Sequence, residues 1–259
     1  MKPVALQGFL FDKKSSFLRG PALAPPLIRN TLNSEAYNPY TELGFSIHNN
    51  SITDKGDFPI ESYFEIEKIC LQHLKEGFRL LTWGGDHSIT FPIVKAIAQF
   101  YSNIHILHID AHGDLYDEFE GDKYSHACPF ARIMENKLAT RLVQVGIRTL
   151  NPHQREQGEK FKVEIIEMKD FDIKNLPKFQ QPIYISLDLD GIDPAYAPGV
   201  SHQEAGGLTP REVIQMIHQL DVPIIGADIV EYNPTRDNNE ITAALAAKFT
   251  KEILGKMLT

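Results

Sequence analysis

A chain of 259 residues, 42% of them hydrophobic, is long enough for one sizeable core, and no composition shift or Gly/Ser-rich linker divides it; a single domain over 1–259 is expected. Its formal net charge of -8 argues against a nucleic-acid binder, because phosphate neutralisation needs a basic face, and suits a small cationic partner. Two cysteines, Cys70 and Cys128, supply neither a disulfide framework nor a paired zinc spacing, and no apolar run reaches membrane-spanning length, so a soluble, cytoplasmic protein without a membrane partner is expected.

Along the chain, the N-terminal apolar patch is broken by Gln7 and Gly8 and lacks a cleavage-site pattern. Ser62 and Glu65 have capping-box spacing. Strands are predicted at "FRLLTW" (78–83), "IHILHID" (104–110), "LVQVGI" (142–147), "VEIIEM" (163–168) and "IYISLDLD" (183–190). "TPRE" marks a helix start, with Thr209 as N-cap, Pro210 at the first helical position and Glu212 three residues after the cap. A further strand, "PIIGADIVE" (223–231), is followed by Asp237 and Glu240 at capping-box spacing and by a closing segment rich in strong helix formers. Apolar runs alternating with amphipathic segments predict an α/β fold with a mostly parallel sheet covered by helices.

Unusual polar residues fall just past the last apolar residue of several strands. "LLTW" runs into "GGDHS", "IHILHI" into "DAHGD", "IYISL" into "DLD" and "IIGADIV" into Glu231. Ligands of open α/β sheets bind at the carboxyl ends of the strands, so these clusters are expected to converge. Asp188 and Asp190, two apart on a predicted strand, would point to one face roughly 6 to 7 Å apart and repel unless a cation lies between them. Asp110, His112 and Asp114 repeat the spacing, and His87 completes a set of four aspartates and two histidines.

That set is too large for one ion and apt for two, since four carboxylates balance two divalent charges. Oxygen-rich ligation with two imidazoles and no thiolate favours manganese over zinc. Two metals about 3.5 to 4 Å apart can lower the pKa of a shared water to yield hydroxide at neutral pH, which implies a hydrolase with no protein nucleophile. Taken singly, "GGDHS" also reads as a turn capped by Asp86 or Ser88, and "DLD" as a surface strand end. Three such clusters at three strand ends are not explained that way.

With "GGDHS", "DAHGD" and "SLDLDGIDPAYAPG" in this order, the sequence resembles the ureohydrolases, the family of arginases, agmatinases and other guanidino-hydrolysing enzymes, from "RGPALAPPLIRNTL" to the final helix. The resemblance implies a three-layer α/β/α, arginase-like fold and two Mn(II) per chain. His87, Asp110, Asp114 and Asp188 would bind one ion and Asp110, His112, Asp188 and Asp190 the other, with Asp110 and Asp188 bridging. Asp114 would also accept a hydrogen bond from the nucleophile, His126 in "YSHACPFARIME" would move a proton to the leaving amine, and Glu231 in "DIVEYNP" would grip the substrate guanidinium. Cys128 is expected to be a packing residue, Asp193 to shape a loop and Asp237 to cap a helix.

Tyr116 stands where many arginases carry the asparagine of a "DxN" motif that helps hold the substrate α-carboxylate, a departure that favours agmatine. The segments "YDEFEGDKYSHACPFARIME" and "EYNPTRDNNEITAALAAK" instead resemble plant-type arginases. The expected substrate is a small cationic guanidino compound, arginine first and agmatine second, with Tyr116 in the substrate wall; the family also implies a homo-trimer or homo-hexamer. Outside this reaction stand a single-zinc deacetylase-type amidohydrolase and an inactive metal-binding protein.

Overall fold

A computed structural model describes residues 2–259. Eight strands form one sheet: β1 (Val4–Leu10), β2 (Ile52–Pro59), β3 (Arg79–Trp83), β4 (His105–Ile109), β5 (Arg141–Ile147), β6 (Glu164–Glu167), β7 (Ile183–Asp188) and β8 (Ile224–Val230), in the spatial order β2-β1-β3-β8-β7-β4-β5-β6. Every pairing is parallel. Strands in such a sheet are covered on both faces, and β3, β4, β7 and β8 are accordingly buried along their whole length.

The alternation of side chains along each strand separates two cores. Leu81, Ile109 and Ile185 face a layer built by α1 (Ala24–Leu32), α6 (Pro210–Gln219) and α7 (Ile241–Leu258). Leu80, Ile106 and Tyr184 face the layer of α2 (Glu65–Lys75), α3 (Thr90–Ile97) and α4 (Pro129–Glu135), with α5 (Pro152–Phe161) beside α4. The result is the expected three-layer α/β/α architecture. No helix among the described residues is long and apolar enough to cross a membrane.

The six predicted strands are present, and β1 and β2 are additional. In β1 the Gln7 amide is buried by donating to Thr82 Oγ1 at 3.0 Å and facing the His73 ring nitrogen at 2.7 Å, so the polar residue that interrupts the apolar run is satisfied inside the sheet. Helix starts differ more. Thr209 and Glu212 form the full capping box with Pro210 inside it. Glu65 accepts the Ser62 N–H, but the Ser62 hydroxyl does not cap, because α2 begins after Phe64. Asp237 accepts the N–H groups of Thr242 and Ala243 and so caps α7 without the expected Glu240 partner, which itself occupies the N-cap position in a left-handed conformation.

Candidate metal centre and substrate pocket

Four neighbouring strands, β3, β8, β7 and β4, bring their carboxyl ends to one point on the sheet edge. His87 opens a short 3-10 turn after β3, Asp110 is the first residue past β4, Asp188 is the last of β7 and Glu231 the first past β8. All four are buried. The strand predicted over 183–190 ends at Asp188, and Asp190 lies in a 3-10 turn (Leu189–Gly191) whose Asp190 N–H donates to Asp188 Oδ1 at 2.8 Å. The two-residue strand parity predicted for this pair is therefore wrong; the turn, not the pleat, aims Asp190. It passes so close to β4 that a Cβ on Gly191 would lie 2.8 Å from the Asp110 nitrogen, which only glycine avoids.

Around His87 Nδ1 stand Asp188 Oδ2 at 3.0 Å, Asp114 Oδ2 at 3.1 Å and Asp110 Oδ2 at 3.2 Å, yet this buried nitrogen has no aligned hydrogen-bond partner. One N–H cannot serve three carboxylates; donors that converge without pairing are arranged for a cation. A second group adjoins it, with His112 Nδ1 3.1 Å from Asp190 Oδ2 and 3.3 Å from Asp110 Oδ1. Asp110 thus turns one oxygen to each group, the disposition of a bridging carboxylate. Asp188 turns Oδ2 to the first group, and its Oδ1 accepts the Asp190 N–H at 2.8 Å just as Asp110 Oδ1 accepts the His112 N–H at 2.6 Å.

The charge balance points the same way. Burial and the charges of Asp190 and Asp110 hold the Asp188 carboxyl well above its usual range, and burial, aided by Asp110 and opposed by His112, pushes Asp190 up to about 6. Burial also works against the Asp110 carboxylate, but the neighbouring His108, His112 and His87 overcome it and hold it well below the usual range. The surrounding residues supply too little positive charge for Asp188 and Asp190, a deficit that divalent ions would correct. The donor set therefore fits a binuclear centre.

A cavity of about 200 Å³ opens over the cluster, lined by the carboxylates of Asp114, Asp188, Asp190 and Glu231 and by no lysine or arginine. In it His126 Nδ1 lies 3.1 Å from Glu231 Oε1, which also accepts the His87 N–H at 2.9 Å. Burial lowers the His126 pKa, but the hydrogen bond and charge of Glu231 outweigh it and raise the imidazole to about 9. His126 Nε2 accepts the Ser16 N–H at 3.2 Å and meets the Ser16 hydroxyl at 2.8 Å, while Nδ1 faces Glu231. Asp114 and Glu231 both hold left-handed backbone, at φ 48° and 63°, uncommon for such residues and concentrated at functional sites.

Tyr116 lines the cavity. Its hydroxyl accepts from Asn151 Nδ2 at 2.6 Å, and its ring stacks on His153 at 5.6 Å. The wall also contains Ser16, Thr149, Gln154 and His202, none of them singled out in the sequence. His202 sits between the ring of His126 at 5.6 Å and that of His112 at 5.7 Å; its Gly/Pro-rich surroundings after β7 were the available signal, whereas Ser16 in "KKSS" carried none. Cys128 is buried and its thiol is pushed up to about 12, chiefly by burial, as suits a packing residue. Asp193 accepts the N–H groups of Ala195, Gly206 and Gly207, shaping its loop.

Comparison with known proteins agrees with this geometry. Residues 2–255 match the Arginase family. Arginase 2, chloroplastic/mitochondrial, of Arabidopsis thaliana is 44% identical over 98% of this chain and 80% of its own length, and the agmatinase of Bacillus anthracis 32% identical over 97% and 90%. The solved arginase from Medicago truncatula superposes with a TM-score of 0.93 at 41% identity, covering 99% of this chain and 87% of its own. A chain with this sheet, this carboxylate-rich pocket and these relatives belongs to the arginase family and is a ureohydrolase.

Proposed function

We propose that the protein is a dimanganese arginase, cleaving arginine to ornithine and urea. The observation that carries the reaction is the placement of Glu231 in one cavity with the convergent His87, Asp110, His112, Asp114, Asp188 and Asp190 donors. Their oxygen-rich composition favours manganese. Two such ions held by these six residues would supply hydroxide from water at neutral pH.

The chain's own residues do the rest. Glu231 receives the planar guanidinium through paired, charge-assisted hydrogen bonds and fixes its carbon over the cluster. Asp114 orients the attacking oxygen by accepting its hydrogen. His126, paired with Glu231 on one side and Ser16 on the other, delivers a proton to the departing amine nitrogen as the C–N bond breaks. The absence of lysine and arginine from the lining keeps the pocket selective for a cation.

Arginine is favoured by the identity of 44% to a plant arginase, against 32% to an agmatinase. Agmatine is the second reading, supported by Tyr116 at the position of the arginase asparagine. Urea release by the manganese-loaded protein from arginine, agmatine, guanidinobutyrate and guanidine at equal concentration decides between them: arginine turned over fastest supports the proposal, agmatine turned over fastest replaces it, and no urea from any of them removes the reaction.

A further inference from the structure

Behind Asp110 lies a buried imidazole that the reaction scheme does not use. His108 Nε2 is 2.7 Å from Asp110 Oδ2, and its ring stacks on Phe130 with centroids 3.8 Å apart. On the far side, Gln144 Nε2 is 3.0 Å from His108 Nδ1 and 2.6 Å from the Gly113 carbonyl. His108 and Gln144 are both fully buried.

Donor and acceptor rules settle the protons along this chain. The Gly113 carbonyl only accepts, so the group of Gln144 facing it is the NH2; reversing the amide would set two oxygens against each other at 2.6 Å. The second amide proton then points at His108 Nδ1, which accepts and carries no hydrogen. The single proton of the neutral ring is left on Nε2, facing Asp110 Oδ2. Gln144 keeps this orientation although its Oε1 has no hydrogen-bond partner among the described residues.

We propose that His108, locked as the Nε2–H tautomer by Gln144, is a positioning residue that holds the bridging carboxylate of Asp110 by hydrogen bonding and is not itself a metal ligand. The alternative is real, because donor atoms of His87, His108 and Asp110 lie within 4.8 Å of one another and would suit a single ion. A ring whose Nε2 keeps its proton and whose Nδ1 accepts from Gln144 has no lone pair to offer. The same amide grips Gly113, between His112 and Asp114, while Gln154 Oε1 accepts the Gly113 N–H at 3.2 Å. The turn presenting three metal donors and the carboxylate's orientation therefore share one brace. Outer hydrogen bonds of this kind typically contribute about 10- to 100-fold to metal affinity.

This inference rests on the dimanganese reading, and two measurements keep their failures apart. In the metal-free protein, long-range 1H–15N spectra, assigned by the signal lost in His108→Phe, are expected to show Nε2–H and a bare Nδ1; an Nδ1–H tautomer would overturn the inference whatever the protein binds. Manganese isotherms are then compared for wild type, His108→Phe, which preserves the stacking on Phe130, and His108→Gln, which restores a donor. The expected result is affinity about 10- to 100-fold weaker in His108→Phe, partly regained in His108→Gln, with the KM for arginine unchanged. Wild-type affinity in His108→Phe overturns the inference, as does outright loss of one ion that His108→Gln fails to restore, which would make His108 a ligand. A wild-type chain that takes up no manganese overturns the dimanganese reading, and with it the role assigned to His108, while leaving the tautomer as measured.

Discussion

Glu231 binds two parts of the pocket through one oxygen: its Oε1 accepts the His87 N–H at 2.9 Å and lies 3.1 Å from His126 Nδ1. The backbone of the turn after β3 and the imidazole of His126 are thereby referred to one carboxylate. Glu231→Gln keeps an acceptor for the His87 N–H but removes the charge and turns the second oxygen into a donor. We expect retained metal content and a fall in kcat/KM of about 100-fold, the cost of about 2.7 kcal/mol of charge-assisted bonding. Urea-release kinetics with metal analysis of the same sample check both halves, and near-normal kinetics would remove Glu231 from the guanidinium role.

The same pair sets a pH dependence. In the metal-free protein His126 is expected to titrate near 9, and Glu231→Gln should bring it down toward 6.5. Because the folded value is raised, the pair's contribution to stability is complete below about 6.5 and is lost as pH rises through about 9. Imidazole NMR titration gives the pKa, and denaturation at pH 6 and pH 10 gives the linkage; a His126 that titrates near 6.5 in wild type would contradict it.

Asp110 offers one oxygen to each donor group. Asp110→Ala is expected to lose both ions and all measurable urea release together while the fold persists, as read by metal content and circular dichroism. Full metal occupancy in this variant would show that Asp110 does not bridge.

Gly191 tests how closely the two ligand-bearing segments pack. A Cβ there would lie 2.8 Å from the Asp110 nitrogen and 2.9 Å from its Cα, both backbone atoms that cannot swing aside. Gly191→Ala should cost about 1 to 3 kcal/mol of stability and weaken metal binding as well, since Asp110 is displaced. Thermal melts with and without manganese would show a lower midpoint and a smaller metal-induced shift.

Away from the site, the buried carboxylate of Glu252 accepts from the Glu42 N–H at 3.1 Å, faces His218 Nε2 at 2.8 Å and pairs with Lys248, joining α7 to α6 and the 41–46 loop. Burial raises its pKa, but these partners outweigh burial and the net shift is downward. Its stabilisation is therefore present above the ordinary carboxylate pKa and is lost as pH falls through the depressed one. Glu252→Ala should cost about 2 to 4 kcal/mol at pH 7, and the gap to wild type should close in acid denaturation series.

Much of this architecture was legible because central strands of a parallel sheet are continuous apolar runs, and because Asp and His clusters recur beyond several of them, more often than turn caps such as Asp86 explain. Edge strand β2, "ITDKGDFP", escaped detection: it is only half-buried and polar, with a register shift where it pairs with β1. Asp190 shows a different limit. It lines one cavity with Asp188, but the strand parity expected for the pair is wrong, because a 3-10 turn supplies the geometry. Ser16 and His202 reach the pocket on loops whose course depends on tertiary packing, and His108 reads in sequence as one more strand residue until Gln144 is seen beside it.

Coupling of metal occupancy to urea release is the most direct test of the dimanganese proposal. Metal-free protein titrated with manganese, with bound metal and urea release from arginine read on each sample, should bind two ions per chain and gain activity as the cluster fills. One zinc per chain retained at full activity, or urea release indifferent to manganese, would contradict it.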